Sequence, residues 1–125
     1  AEGMITRLQR GPDPSDGAAL LACYHPFGQY NRPKHGGREY RGLRTERHTY
    51  VRALDGPWLL YDNTTDPFQM HNLAAAPEHA ALRRDLDDRL RERLRTLGDE
   101  FRPGMEYIRR WNYVVDDDGT VPYTD

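Results

Sequence analysis

Between Glu39 and Leu54 the large side chains recur at Tyr40, Leu43, Tyr50 and Leu54, the last two around Val51. Period-two patterning with aromatic and β-branched residues suits a half-buried strand, and it predicts strands over 39–45 and 48–54. The short polar connection Thr45-Glu46-Arg47 makes an antiparallel hairpin the economical pairing. Asp55-Gly56-Pro57 predicts the next turn, and Trp58-Leu59-Leu60-Tyr61 a further strand over 58–62. Ahead of them, Ala18–Tyr24 is a continuous apolar run between Gly17 and Pro26. It suits a strand buried on both faces over 18–24, with Cys23 as a small buried hydrophobe, although a short helix fits the same run.

The period changes after Pro77. Leu82, Leu86, Leu90, Leu94 and Leu97 form a narrow apolar stripe at helical spacing, so a helix is predicted over 77–97. Pro77 suits its first position and Gly98 its end. Asp85 with Arg89 and Asp87 with Arg91 are spaced for ion pairs along it. Residues 1–17, with Gly3, Gly11, Pro12, Pro14 and Gly17, keep no period and are expected to be a connecting segment. The tail 99–125 sets Phe101, Met105, Tyr107, Ile108, Trp111 and Tyr113 among charges, with a short helix expected over Met105–Trp111. The expected fold of 18–125 is α+β: a four-stranded antiparallel sheet, one long amphipathic helix on one face, and irregular ends.

Composition limits how deep such a core can be. Of 125 residues, 37% are hydrophobic and 30% charged, so a larger neighbour, or a disordered tail, would account for the thin core. The net charge of -2 with interspersed signs argues against a general nucleic-acid binder. No apolar run is long enough to span a bilayer, so no membrane partner is expected. A single cysteine, Cys23, allows no internal disulfide, and the compartment stays open.

The run Tyr40-Arg41-Gly42-Leu43-Arg44-Thr45-Glu46-Arg47, then Tyr50-Val51-Arg52, Leu60-Tyr61-Asp62, Asp66-Pro67 and Asn72-Leu73-Ala74, closely resembles the C-terminal subdomain of the sulfatase family, in the alkaline-phosphatase superfamily. The sequence departs from the commonest pattern at Thr49, where Lys is frequent, and at Gln69, where Glu is. The resemblance implies a parent that hydrolyses sulfate esters of a sulfated small molecule or glycan. It would use a formylglycine nucleophile and a calcium ion held by an N-terminal catalytic domain.

Formylglycine forms within Cys/Ser-x-Pro-x-Arg, and Cys23-Tyr24-His25-Pro26-Phe27 does not fit: Pro is one place late and Phe stands where Arg belongs. No serine has the pattern either, so the isolated chain is expected to lack sulfatase activity. The segment His25–Arg38 is the loop best suited to carry function. It is rich in donors for an oxyanion, and His25, Gln29, Arg32, Lys34 and His35 are the candidate substrate contacts in the parent. An exposed polar loop facing water is the plainer reading. His25 and His35 lack the fixed spacing of a metal pair. Arg41, Arg44 and Arg47 read best as solvated charges on a sheet face, and Asp62 and Asp66 as turn formers. The aromatic tail is expected to bury itself against the absent domain, and the isolated chain to self-associate. Two other readings fit the residues: the tail of a phosphonate or phosphodiester hydrolase, and a freestanding interaction module.

Overall fold

The computed structural model describes residues 17–26 and 36–114. It shows β1 (Ala19–Cys23), β2 (Tyr40–Arg44), β3 (His48–Ala53) and β4 (Gly56–Asp62), then a 3-10 turn (Pro77–His79), α1 (Ala80–Leu97) and α2 (Gly104–Arg110). The strands form an antiparallel sheet in the order β1-β2-β3-β4, each paired with its neighbour in sequence. The α+β fold read from the sequence is the one observed.

Register explains why one face takes the helix. Leu20 pairs with Leu43, Leu43 with Tyr50 and Tyr50 with Leu60, so a single apolar row crosses all four strands. Leu86, Leu90 and Leu94 of α1 pack over this row with Ala18 and Ala74. Burying each leucine side chain contributes about 1.5–3 kcal/mol, which makes this row the main source of cohesion. Polar contacts fix the helix azimuth: the Tyr50 hydroxyl donates to Asp87 Oδ1 at 2.6 Å and Arg52 Nη1 donates to the same oxygen at 3.0 Å. Arg91 pairs with the other Asp87 oxygen at 2.8 Å, the spacing of four expected for that pair. Among the described residues Asp85 and Arg89 form no such pair. Gly98, at φ 72°, ends α1 in the left-handed region, and its amide and that of Asp99 close the last turn on Arg95 and Leu94 carbonyls.

Four local expectations change. β1 is an edge strand of intermediate to exposed residues, because only β2 pairs with it among the described residues. Cys23 is correspondingly half-buried, not buried. Gly56 and Pro57 begin β4 instead of forming the turn, which tightens to Leu54-Asp55; an edge strand tolerates a proline that cannot donate. Leu97, the last residue of α1, is exposed even though its spacing of seven from Leu90 keeps it on the same helix face.

Between β4 and α1 the chain is held by side chains. Asp62 accepts from the Thr64 amide at 3.1 Å, and Asp66 from the Met70 and His71 amides at 2.9 and 2.8 Å. These are the turn-forming roles expected of the two aspartates. Asn72 accepts from the Leu60 and Ala74 amides at 2.9 and 3.0 Å and donates to the Trp58 carbonyl at 2.9 Å, fastening the segment to β4.

Candidate functional site

The end of β1, the start of β2 and the segment after α1 converge where the donor-rich loop leaves the sheet. At their centre is Arg41, whose side chain is 0% exposed. The expectation of a solvated sheet-face arginine is overturned there: residue 41 has the parity of Leu43, so it points toward the helix side. Arg44 is exposed, and Arg47 is an exposed side chain paired with Asp62 at 2.9 Å, as a solvated charge would be.

A buried guanidinium needs every N–H answered, and Arg41 nearly achieves this. Nε donates to Asp99 Oδ2 at 2.6 Å and Nη2 to Oδ1 at 3.2 Å, a two-pronged pair across 58 residues of sequence. Nη1 donates to the Cys23 and Tyr40 carbonyls at 3.1 and 2.9 Å, tying the cation to two strands at once. The guanidinium plane lies 4.0 Å from the Tyr24 ring centroid and 4.7 Å from that of Phe101, between two π faces.

The Asp99 carboxylate accepts three further hydrogen bonds. The Tyr107 hydroxyl donates to Oδ1 at 3.1 Å, the Phe101 amide to Oδ1 at 2.8 Å, and the Tyr24 hydroxyl to Oδ2 at 3.3 Å. The Asp99 amide itself closes the helix end. Burial drives its carboxyl up, but the Arg41 hydrogen bonds, the Phe101 amide, the Arg41 charge and Tyr107 outweigh it, leaving the group below its ordinary range. Burial and the Asp99 charge push the Tyr24 phenol up, so it stays a neutral donor.

His25 sits beside this clasp, directly after Tyr24. Its Nδ1 and Nε2 are both buried, without a hydrogen-bond partner among the described residues. Gly104 packs on it so closely that an added Cβ would lie 2.4 Å from Nδ1 and 2.6 Å from the Tyr24 carbonyl oxygen. The Gly104 amide in turn donates to Glu39 Oε1 at 3.0 Å, joining α2 to the start of β2. The other candidate contacts, Gln29, Arg32, Lys34 and His35, lie outside the described residues, so of the set only His25 is located.

Two further features bear on chemistry. Burial, then Glu39, raises the Cys23 thiol pKa, so this cysteine carries less thiolate than a free one and is poorly suited to attack. A cleft of about 520 Å3 is lined by Arg52, Arg91, Arg95, Asp99, Glu100 and Phe101. Its arginines are each already paired: Arg52 and Arg91 share Asp87, and Arg95 meets Glu92 at 2.7 Å. Among the described residues no group of three or more His, Cys, Asp or Glu side chains comes together to hold a metal ion. The described residues therefore offer no cluster of such side chains to a calcium ion. None of the described helices is long and apolar enough to cross a membrane.

Sequence reasoning missed Arg41, Asp99 and Tyr107 as a unit. The only local signal was an aspartate just past the helix-ending Gly98, and nothing in the spacing tells which arginine it meets.

No protein-family model matches the sequence. The chain is 39% identical over 113 residues to an ulvan-active sulfatase of Formosa agariphila, a match covering 88% of this chain and 21% of that protein. In fold it matches a protein solved in complex with its substrate D-glucosamine-2-N,6-O-disulfate, at a TM-score of 0.58 and 23% identity, over 71% of this chain and 17% of the other. It also matches a candidate sulfatase, yidJ, of Bacteroides fragilis, at a TM-score of 0.52 and 29% identity, over 74% and 19%. The chain thus spans about a fifth of the length of each relative.

Proposed function

We infer that this chain, whose sequence and fold fit a C-terminal subdomain of a sulfatase, supplies the scaffold and pocket rim of a sulfate-ester hydrolase and not its bond-breaking groups. The observation that carries this reading is the 39% identity to a sulfatase over nearly the whole chain but a fifth of that enzyme, in a sequence without a Cys/Ser-x-Pro-x-Arg motif. The formylglycine nucleophile and calcium that the family implies then belong to a catalytic domain beyond these residues. The substrate is a sulfated small molecule or glycan. Gln29, Arg32, Lys34 and His35, with His25 at the base of their loop, are the candidate contacts that would offer donors to sulfate oxygens.

The clasp gives this rim its footing. Arg41 holds the Cys23 and Tyr40 carbonyls at the two ends of the 24–39 segment, so the loop springs from fixed posts. Anchoring of this kind limits the motion of a binding loop without occupying its donors.

A chimera tests the reading. This chain replaces the matching 113-residue segment of the ulvan-active sulfatase, and sulfate release is measured from that enzyme's substrate and from D-glucosamine-2-N,6-O-disulfate. The chimera is expected to release sulfate and the isolated chain to release none. Arg32→Ala with Lys34→Ala is expected to raise KM more than it lowers kcat. Sulfate release by the isolated chain, or an inert chimera, contradicts the proposal.

A further inference from the structure

The described residues leave one dense patch of large apolar side chains open to solvent. Tyr24, Met105, Trp111, Tyr113 and Val114 are all exposed, Trp111 at 53%, Tyr113 at 58% and Val114 at 77%. The rings form one continuous set. Tyr24 meets Tyr107 edge-on at 5.1 Å, Tyr107 meets Trp111 at 5.4 Å, and Trp111 meets Tyr113 at 6.4 Å and 82°. Below them lies the Arg41–Asp99 pair, so the patch stands on the most heavily bonded part of the molecule. Single exposed hydrophobic residues need no explanation, but a contiguous aromatic patch on a rigid base marks an interaction surface.

Its composition says what kind. Trp, Tyr, Met and Arg are the residues enriched where proteins meet, and here Arg110 lies 5.8 Å from the Tyr107 ring centroid, at the edge of the rings. Met105 and Val114 are aliphatic additions that favour a protein partner over a sugar. The lengths of the relatives say which partner: about four-fifths of each lies outside the part that this chain matches. The other exposed apolar pair, Phe68 and Met70, sits on the turn after β4, at the opposite end of the sheet.

Resting on the sulfatase reading, we propose that Tyr24, Met105, Trp111, Tyr113 and Val114 form the seat on which the sulfatase catalytic domain docks. Tyr24 immediately precedes His25, so this seat puts the candidate rim loop at the domain junction instead of on a remote surface.

The chimera described above serves as the probe, bearing Trp111→Asp with Tyr113→Asp, or Val114→Asp alone. The expected result is a loss of sulfate release of about tenfold or more in the double variant, as for removal of central interface residues. A smaller loss follows for Val114→Asp, which makes no ring contact. The isolated chain with the same substitutions keeps its circular dichroism and thermal midpoint, separating docking from folding. Full activity and an unchanged thermal midpoint in the double-variant chimera overturn the seat while leaving the sulfatase reading intact. Failure of the unsubstituted chimera overturns both. Quenching of isolated-chain tryptophan fluorescence by D-glucosamine-2-N,6-O-disulfate, lost in Trp111→Phe, makes the patch a sugar platform and overturns the docking proposal.

Discussion

Arg41 and Asp99 meet at 2.6 Å with side chains 0% and 7% exposed, and their pairing locks the end of α1 to the start of β2. Removing one partner of such a pair leaves a buried charge unanswered, at a typical cost of about 3–5 kcal/mol, whereas replacing both by apolar groups is often nearly neutral. Asp99→Asn is therefore expected to lower stability by about 3–5 kcal/mol, and Arg41→Met with Asp99→Leu by clearly less. Urea unfolding of the isolated chain measures both. Equal losses in the single and double variants would show that the pair is not the clasp described.

Acid should unfold the chain through the same group and its counterpart on α1. Burial drives the Asp87 carboxyl up, but the Tyr50 and Arg52 hydrogen bonds and the Arg52 and Arg91 charges outweigh it, and Asp87, like Asp99, ends below its ordinary range. A depressed carboxyl contributes stability that is fully present above its unfolded-state pKa of about 4 and is lost as pH falls through the folded value. The urea midpoint is expected to be flat from pH 7 to 5 and to fall toward pH 3. In Asp87→Asn and Asp99→Asn the midpoint starts lower and falls less steeply. A midpoint that rises on acidification would reverse the sign and sink the assignment.

Gly104 faces a wall of main chain and imidazole. An added Cβ would lie 2.6 Å from the Tyr24 carbonyl oxygen as well as 2.4 Å from His25 Nδ1. Gly104→Ala is expected to cost about 1–3 kcal/mol, the usual penalty of overpacking. His25→Ala removes only the imidazole clash, so the double variant should recover part of that loss and not all of it. Complete recovery would mean that the carbonyl and the retained His25 Cβ, 2.7 Å from the added carbon, both yield freely. Thermal melts of the three variants decide the matter.

Thr49 and Gln69, the two positions where the sequence departs from the commonest sulfatase pattern, are bonded to each other. Gln69 Nε2 donates to Thr49 Oγ1 at 3.1 Å and to Asn63 Oδ1 at 3.1 Å, with Gln69 held at φ 54°. A Lys and a Glu at the same places would make the corresponding contact as an ion pair. Thr49→Lys alone puts a charge at a site that is 6% exposed and should destabilise. Adding Gln69→Glu should restore a good part of the stability, and a double-mutant cycle gives the coupling. Additive effects would show that the two sites are independent.

The strands and the long helix were readable because hydrophobic period is a local property: Leu43, Tyr50, Leu86 and Leu90 declare their faces within a few neighbours. Arg41 was not, since its burial depends on an aspartate far along the chain, and in a sequence with seventeen arginines no pattern singles out that one. Edge position was equally hidden. Ala18–Tyr24 looks like an interior strand because apolar runs do not reveal how many neighbours a strand has, and here β1 has one among the described residues. Of the candidate contacts, His25 alone falls among the described residues, at the base of the loop. Its close fit against Gly104 depends on the meeting of distant segments and was not legible.

Asn72 and Pro57 together make β4 a poor template for further strands. Pro57 offers no amide, the Leu60 amide and Trp58 carbonyl are taken by the Asn72 side chain, and the Leu60 carbonyl is taken by the Leu73 amide at 2.7 Å. A stray peptide arriving at that border finds these hydrogen-bonding positions spent, which disfavours fibrillar stacking from it.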